Sequence, residues 1–190
     1  MSTDLERRLS NERWFHSIDM GDFATSGRFK PGEPQNATLY GFMDLIKEID
    51  LSGMTVLDVG CSDGLASFGM RALGASQVHS TNSFGREKFA VVRDALGLDG
   101  IDYHPDLQLK DMVAHFGRGQ FDLILCAGVI YHMINPASAF TECRKLLKAG
   151  GYSLWKRPII PMRSAPLSFS IPKPKWSPTP RPIRCLPWPL

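Results

Sequence analysis

Between Thr38 and Asp50, apolar side chains fall at Leu39, Phe42, Met43, Ile46 and Ile49, the spacing of one helical face. Ser52-Gly53 breaks that pattern, and Thr55–Val59 reads as a short buried strand. A glycine loop follows, then LASFGMRAL predicts a helix closed by Gly74. The alternation repeats: QVHST (77–81) as strand, REKFAVVRDALG (86–97) as helix, IDYH (101–104) as strand, and 106–115 as helix. FDLILC (121–126) is the clearest strand, apolar at nearly every position as parallel strands covered on both faces are. Pro136 suits a first helical turn, opening ASAFTECRKLLKAGG; Gly150-Gly151 closes it, and YSLW (152–155) is a fifth strand. Five strands separated by helices predict an α/β fold with right-handed crossovers, a doubly wound and mostly parallel sheet.

The chain therefore divides into a leader (1–37) with turn chemistry, an α/β domain (38–157) and a tail (158–190). Ten of the last 33 residues are proline, which no helix or central strand accommodates, so the tail is expected to be extended. Trp176, Leu186 and Trp188 are isolated apolar points in it. Two readings of the tail stand: a docking segment for RNA or a proline-recognising domain, or a non-native C-terminus.

Charge follows the same division. Residues 151–190 carry seven basic groups and no acidic ones, leaving 15 basic against 19 acidic in residues 1–150, a net of −4. The overall +3 thus belongs to the tail and does not make the body a basic nucleic-acid surface. No apolar run is long enough to span a membrane, and the charged N-terminus lacks a signal-peptide core. Cys61, Cys126, Cys143 and Cys185 show no CxxC or CxH spacing, so neither zinc nor a disulfide framework is expected, and a reducing cytoplasm fits.

The candidate chemistry sits in VLDVGCSDG (56–64), a strand ending in an acid and a loop with two glycines four positions apart. A Walker loop needs Lys-Ser/Thr after its second glycine, where Leu65-Ala66 stand. A dinucleotide fingerprint needs a third glycine, and Asp63 would repel pyrophosphate. A negative side chain at the helix start suits an ammonium, a sulfonium or hydroxyls, as in S-adenosylmethionine. Strand two ends in Thr81-Asn82-Ser83, strand three near Asp106, and strand four in CAGVIYH (126–132), so polar groups gather at one sheet edge.

With TNS after strand two and FDLILCAGVIYHMINP at strand four, the sequence resembles the class I S-adenosylmethionine-dependent methyltransferases, a Rossmann-like fold. WFHSIDMGD (14–22), GVIYH and LLKAGGYSLW are more specifically similar to the tRNA wobble-uridine methyltransferases, relatives of the tRNA uridine-34 carboxymethyltransferase. The resemblance covers about residues 11–160. It implies that Asp58, Gly60, Cys61, Ser62 and Gly64 cradle the methionine end of the cofactor, that Asn82 meets the ribose, and that Asp106 and Leu107 lie near the adenine. Ala127 and Tyr131 would border the reactive end, with Trp14 and His16 closing over the pocket from the leader and touching the acceptor.

Ser62 replaces the usual middle glycine, and Asn82 replaces the usual acid. Losing a charge-assisted bond to the ribose would weaken cofactor affinity on the order of tenfold. The family fold continues through two further strands where this chain has its proline-rich tail, an expected C-terminal shortening. Methyl transfer from a sulfonium asks mainly for positioning, and an oxygen acceptor also needs a base, for which His132 and His16 are candidates beside the pocket-shaping Tyr131. Bland alternatives stand beside these: Asp106 as a helix cap, Trp14 as core, Cys61 and Cys126 as buried filler. The function expected is methyl transfer to tRNA wobble uridine, or to a small oxygen or nitrogen acceptor. An inactive cofactor-binding module and a non-binding remnant are the rivals. A carboxylated cofactor stays open, and no metal or membrane partner is expected.

Overall fold

The computed structural model describes residues 3–29, 37–83 and 87–156, all within one compact unit, Met1–Pro158. The proline-rich tail lies outside the described residues. Among them, no helix is long and apolar enough to cross a membrane.

The elements, in chain order, are α1 (Thr3–Ser10), β1 (Trp14–His16), β2 (Gly27–Phe29), α2 (Ala37–Lys47), β3 (Thr55–Val59), α3 (Leu65–Ala72), β4 (Gln77–Thr81), α4 (Glu87–Ala95), β5 (Ile101–His104), α5 (Met112–Phe116), β6 (Phe121–Ala127), α6 (Pro136–Leu146) and β7 (Leu147–Lys156). Five strands form a parallel sheet in the order β5-β4-β3-β6-β7. The chain runs outward from β3 to β5, then crosses back to β6 on the other side of β3. That reversal makes the carboxyl ends of β3 and β6 the switch point, where such sheets open a ligand crevice.

Alternation along the central strands splits the core in two. Val56, Leu123 and Leu125 face Phe68, Met70, Phe89 and Val92 of α3 and α4, together with Ile46 of α2. Leu57, Val59, Ile124 and Cys126 face Met112, Ala139, Cys143 and Leu146 of α5 and α6. Both faces of the sheet are covered, which is why β3 and β6 read as continuous apolar runs rather than alternating ones.

Three sequence expectations change. The leader is more than turns: it forms α1 and a parallel pair, with Trp14 opposite Gly27 and His16 opposite Phe29. Leu9, Trp14, Ile18 and Met20 are buried in the α3–α4 core, apolar positions too irregularly spaced to announce an element. The expected helix from Asp106 to His115 begins later, as a 3-10 turn at Leu109–Asp111 leading into α5. Asp106 sits at φ 60, a left-handed conformation that a helix cannot include, and it is not the cap, because Gln108 flanks the 3-10 turn and Asp111 flanks α5. Finally, α6 ends at Leu146 and residues 147–151 join β7. Its terminal carbonyls are claimed by neighbours: Gly119 N donates to Lys145 O at 3.0 Å and Gln120 N to Leu146 O at 2.8 Å. Leu147 then pairs with Phe121, and the register slips before Tyr152 pairs with Leu123.

Phe89 tests the larger core. It is fully buried, stacked on Tyr103 at 4.3 Å and tilted against Phe68 at 5.0 Å. Phe89→Ala should cost about 3–5 kcal/mol in urea unfolding, the usual range for emptying a buried aromatic site.

Candidate functional site

The loop 60–64 turns between β3 and α3 through three residues with positive φ: Gly60 at 73°, Ser62 at 54° and Gly64 at 101°. At Gly60 a Cβ would lie 2.4 Å from Val129 Cγ2, so only glycine lets the segment after β6 close onto this loop. At Gly64, the residue capping α3, a Cβ would meet Phe68 at 2.4 Å and Phe89 at 2.9 Å. Ser62 holds its left-handed turn because Asn82 grips its backbone from both sides. Ser62 N donates to Asn82 Oδ1 at 3.2 Å, and Asn82 Nδ2 donates to Ser62 O at 3.0 Å.

Most of the loop's donors are already committed. Gly60 N and Cys61 N both donate to Thr81 O at 2.9 and 3.0 Å, and Gly64 N to Cys61 O at 2.9 Å. With Ser62 N bound to Asn82, four of the loop's amides are spent within the protein. Phosphate cradles work by presenting free amides, so this loop is poorly suited to a polyphosphate.

Asp58, the penultimate residue of β3, lies below it, 2% exposed. Ser67 Oγ donates to Asp58 Oδ2 at 2.6 Å, and Ser80 Oγ donates to Ser67 Oγ at 2.8 Å, a buried relay across β3, α3 and β4. Burial pushes the Asp58 carboxyl up to about 6, against the opposing pull of the Ser67 hydroxyl, the His16 charge and the Ser67 amide. A buried acid left with this little compensation suits a cationic ligand. That observation favours an ammonium-bearing cofactor at the loop.

Asp63 behaves differently from the sequence reading, in which it faced the ligand. It is fully buried and turned toward the leader. Phe15 N and His16 N donate to its Oδ2 at 2.7 and 3.0 Å, and His16 Nδ1 bonds its Oδ1. Burial raises the Asp63 carboxyl, but the His16 hydrogen bond, the His16 charge and the two backbone amides together outweigh it and hold the group below its ordinary value. Nothing in the spacing of residues 47 and 48 positions apart could have revealed this clasp.

The other sequence candidates spread around this centre. Trp14 is buried in the core, with Nε1 donating to Leu9 O at 2.8 Å and Lys88 Nζ 4.7 Å from its ring, which makes it an anchor of the leader. His16 is nearly buried and held by Asp63. Cys61 is buried. Asn82 is 5% exposed and braces the loop, with Tyr103 Oη 3.5 Å from its Nδ2. Asp106 is exposed, and Leu107 packs against the α5–α6 core. Ala127 ends β6 half-buried. Tyr131 and His132 are exposed on the 3-10 turn after β6, their rings 4.4 Å apart.

Two measurements test these carboxylates. Asp63→Asn should lose about 1–3 kcal/mol at pH 7, the cost of disrupting a buried charged hydrogen-bond set, and should speed tryptic cleavage after the exposed Arg13. Because the folded Asp63 value is depressed, that difference is present above the ordinary carboxylate range and fades as pH falls through the folded value. Asp58 has the opposite sign. Its raised value favours the protonated folded form, so its contribution is full below about pH 4 and lost as pH rises through about 6. Relative to Asp58→Asn, the parent chain should lose about 3 kcal/mol of unfolding free energy across that window. A pH-independent difference between the two would refute the assignment.

The comparisons with known proteins now bear on this site. Residues 57–155 match the model of a methyltransferase domain, from the middle of β3 to the end of β7. Two ubiquinone biosynthesis O-methyltransferases are similar: that of Dechloromonas aromatica, 31% identical over 129 residues, and that of Aromatoleum aromaticum, 33% identical over 130. These alignments cover 66% and 67% of this chain but 53% of either relative, so the chain spans about half their length. An S-adenosylmethionine-dependent methyltransferase from Mesorhizobium loti shares the fold at 23% identity and a TM-score of 0.53, covering 63% of this chain and 52% of that one. These two relatives are named for ubiquinone biosynthesis, not for the tRNA wobble-uridine modification that the leader and strand motifs led us to expect. The parallel sheet, the glycine loop at its switch point and the matched domain together place this chain in the class I S-adenosylmethionine-dependent methyltransferase family.

Proposed function

We propose that this chain binds S-adenosylmethionine across the carboxyl ends of β3 and β6 and methylates an oxygen of a small hydroxylated acceptor, with His16 as general base. The observation that carries the base assignment is the Asp63–His16 pair: a buried carboxylate holds Nδ1 of a histidine set against the glycine loop. A carboxylate on Nδ1 fixes the ring's orientation and leaves Nε2 as the basic nitrogen. Asp63 is the positioning residue in this arrangement.

The bound cofactor supplies an electrophilic methyl group on a sulfonium, a good leaving group, so the protein's task is alignment and removal of the acceptor proton. Asp58 would offset the cofactor's ammonium. The backbone of Gly60–Gly64 would shape the methionine end, and Asn82 would reach the ribose with the hydrogen-bonding capacity its grip on Ser62 leaves free. Asp106 and Leu107 would border the adenine, and Ala127 and Tyr131 the reactive end. His132, exposed beside Tyr131, is the alternative base.

The names of the relatives support an oxygen acceptor, and the net charge of −4 over residues 1–150 supports a small acceptor over a phosphate-rich one. One observation favours tRNA wobble uridine as a second reading. WFHSIDMGD, a segment that carries that resemblance, is the one clasped to the loop by Asp63.

Calorimetric titration of the whole chain with S-adenosylmethionine and S-adenosylhomocysteine comes first, followed by methyl transfer to hydroxylated aromatics and to unmodified tRNA. We expect one-site binding, weakened at least tenfold in Asp58→Asn, and a His16→Ala variant with reduced kcat and nearly unchanged cofactor affinity. No heat from a folded sample ends the enzyme reading for this chain. Binding without transfer to either acceptor makes it a cofactor-binding module, and transfer to tRNA alone replaces the small-acceptor reading.

A further inference from the structure

On the far side of the sheet from α3 and α4, the outer strands bring together three side chains that methyl transfer does not use. His79 of β4 pairs in register with Asp102 of β5, and His104 lies two residues further along β5 on the same face. His79 Nδ1 is 3.1 Å from His104 Nε2 and 3.7 Å from Asp102 Oδ2. The three potential ligand atoms lie within 4.8 Å of one another.

We propose that His79, Asp102 and His104 form a binding site for a divalent first-row transition ion, with three protein ligands and the remaining positions open to water. A tetrahedral ion with bonds of about 2.0–2.1 Å separates its ligand atoms by about 3.3 Å, so the present spacing needs only small side-chain rotations. Two imidazoles and one carboxylate select zinc, cobalt, nickel or cupric ions over magnesium and calcium, which prefer all-oxygen shells.

The surroundings suit that role. Gln77 Nε2 donates to Asp102 Oδ2 at 2.9 Å, steering the carboxylate from outside the ligand set. Phe116 stands edge-on to both imidazoles at 5.3 and 5.0 Å, Phe121 edge-on to His79 at 5.5 Å, and His115 edge-on to His104 at 5.1 Å, which fixes the ring planes. Asp102 is 58% exposed and His79 20%, so an ion has a way in. The plainer explanation, a hydrogen bond between two neutral imidazoles, accounts for the 3.1 Å separation. It leaves the steered carboxylate beside them without a purpose.

An ion here would tie the edge strand β5 to β4, making its effect one on stability. The inference is independent of cofactor binding. The sequence expectation of no metal considered cysteine spacings, which bear only on thiolate sites.

The test uses the untagged, chelator-stripped full chain, titrated with zinc against a chromophoric indicator and with cobalt by visible absorption. One equivalent should bind at micromolar zinc, with a rise in Tm and a cobalt spectrum of a low-coordinate nitrogen–oxygen site. His104→Gln should abolish binding, Asp102→Asn should weaken it at least tenfold, and Gln77→Ala should weaken it about tenfold. Circular dichroism checks each variant; should His104→Gln fail to fold, the exposed Asp102 carries the decision. No uptake by the folded parent chain overturns the site, and so does undiminished affinity in folded Asp102→Asn.

Discussion

A single buried carboxylate organises the switch point of this sheet. Asp63 has no exposed surface, and among the described residues its donors come from Phe15 and His16, more than forty residues upstream. A buried charge persists only when fully compensated, so the loop and the leader must keep this geometry together or lose it together. The consequences spread outward. With its acid committed to the leader, the loop is tied to β1, and the parallel β1–β2 pair is drawn against the α3–α4 core through Trp14.

Asp58 and Asp63 stand five residues apart and are tuned in opposite directions. Asp63 gains four stabilising influences and stays ionised; Asp58 gains fewer and is pushed toward neutrality. Two acids with separated titrations in one site give a division of labour. One is a permanent structural charge, and the other is an acceptor whose charge depends on what binds beside it. A cation arriving at Asp58 relieves a cost already present in the folded chain, which couples ligand binding to stability.

The two sheet faces carry different chemistry. The α3–α4 side holds the serine relay beneath Asp58, while the α5 side gathers histidines and phenylalanines around β4 and β5. Alternation along a strand separates them cleanly. Ser80 and His79 are neighbours in sequence yet serve opposite faces, and parallel pairing sets His79 beside Asp102.

The sequence by itself determined the alternation of strands and helices along the α/β domain, because parallel strands covered on both faces are apolar throughout and their ends are punctuated by glycine. QVHST and IDYH appear as strands at the bounds read from sequence. It also marked the glycine loop after β3, since a turn this tight needs glycine where another side chain would strike Val129 or Phe68. Only the tertiary structure decided which way the loop's acid points, that Trp14 anchors the leader, and that Asn82 braces Ser62. The same holds for the termination of α6 at Leu146, forced by strand pairing and by donors from residues 119 and 120. Local patterns record which residues prefer which backbone. Partners 20 to 48 residues apart meet only when the sheet brings them together, and no spacing along the chain encodes that meeting.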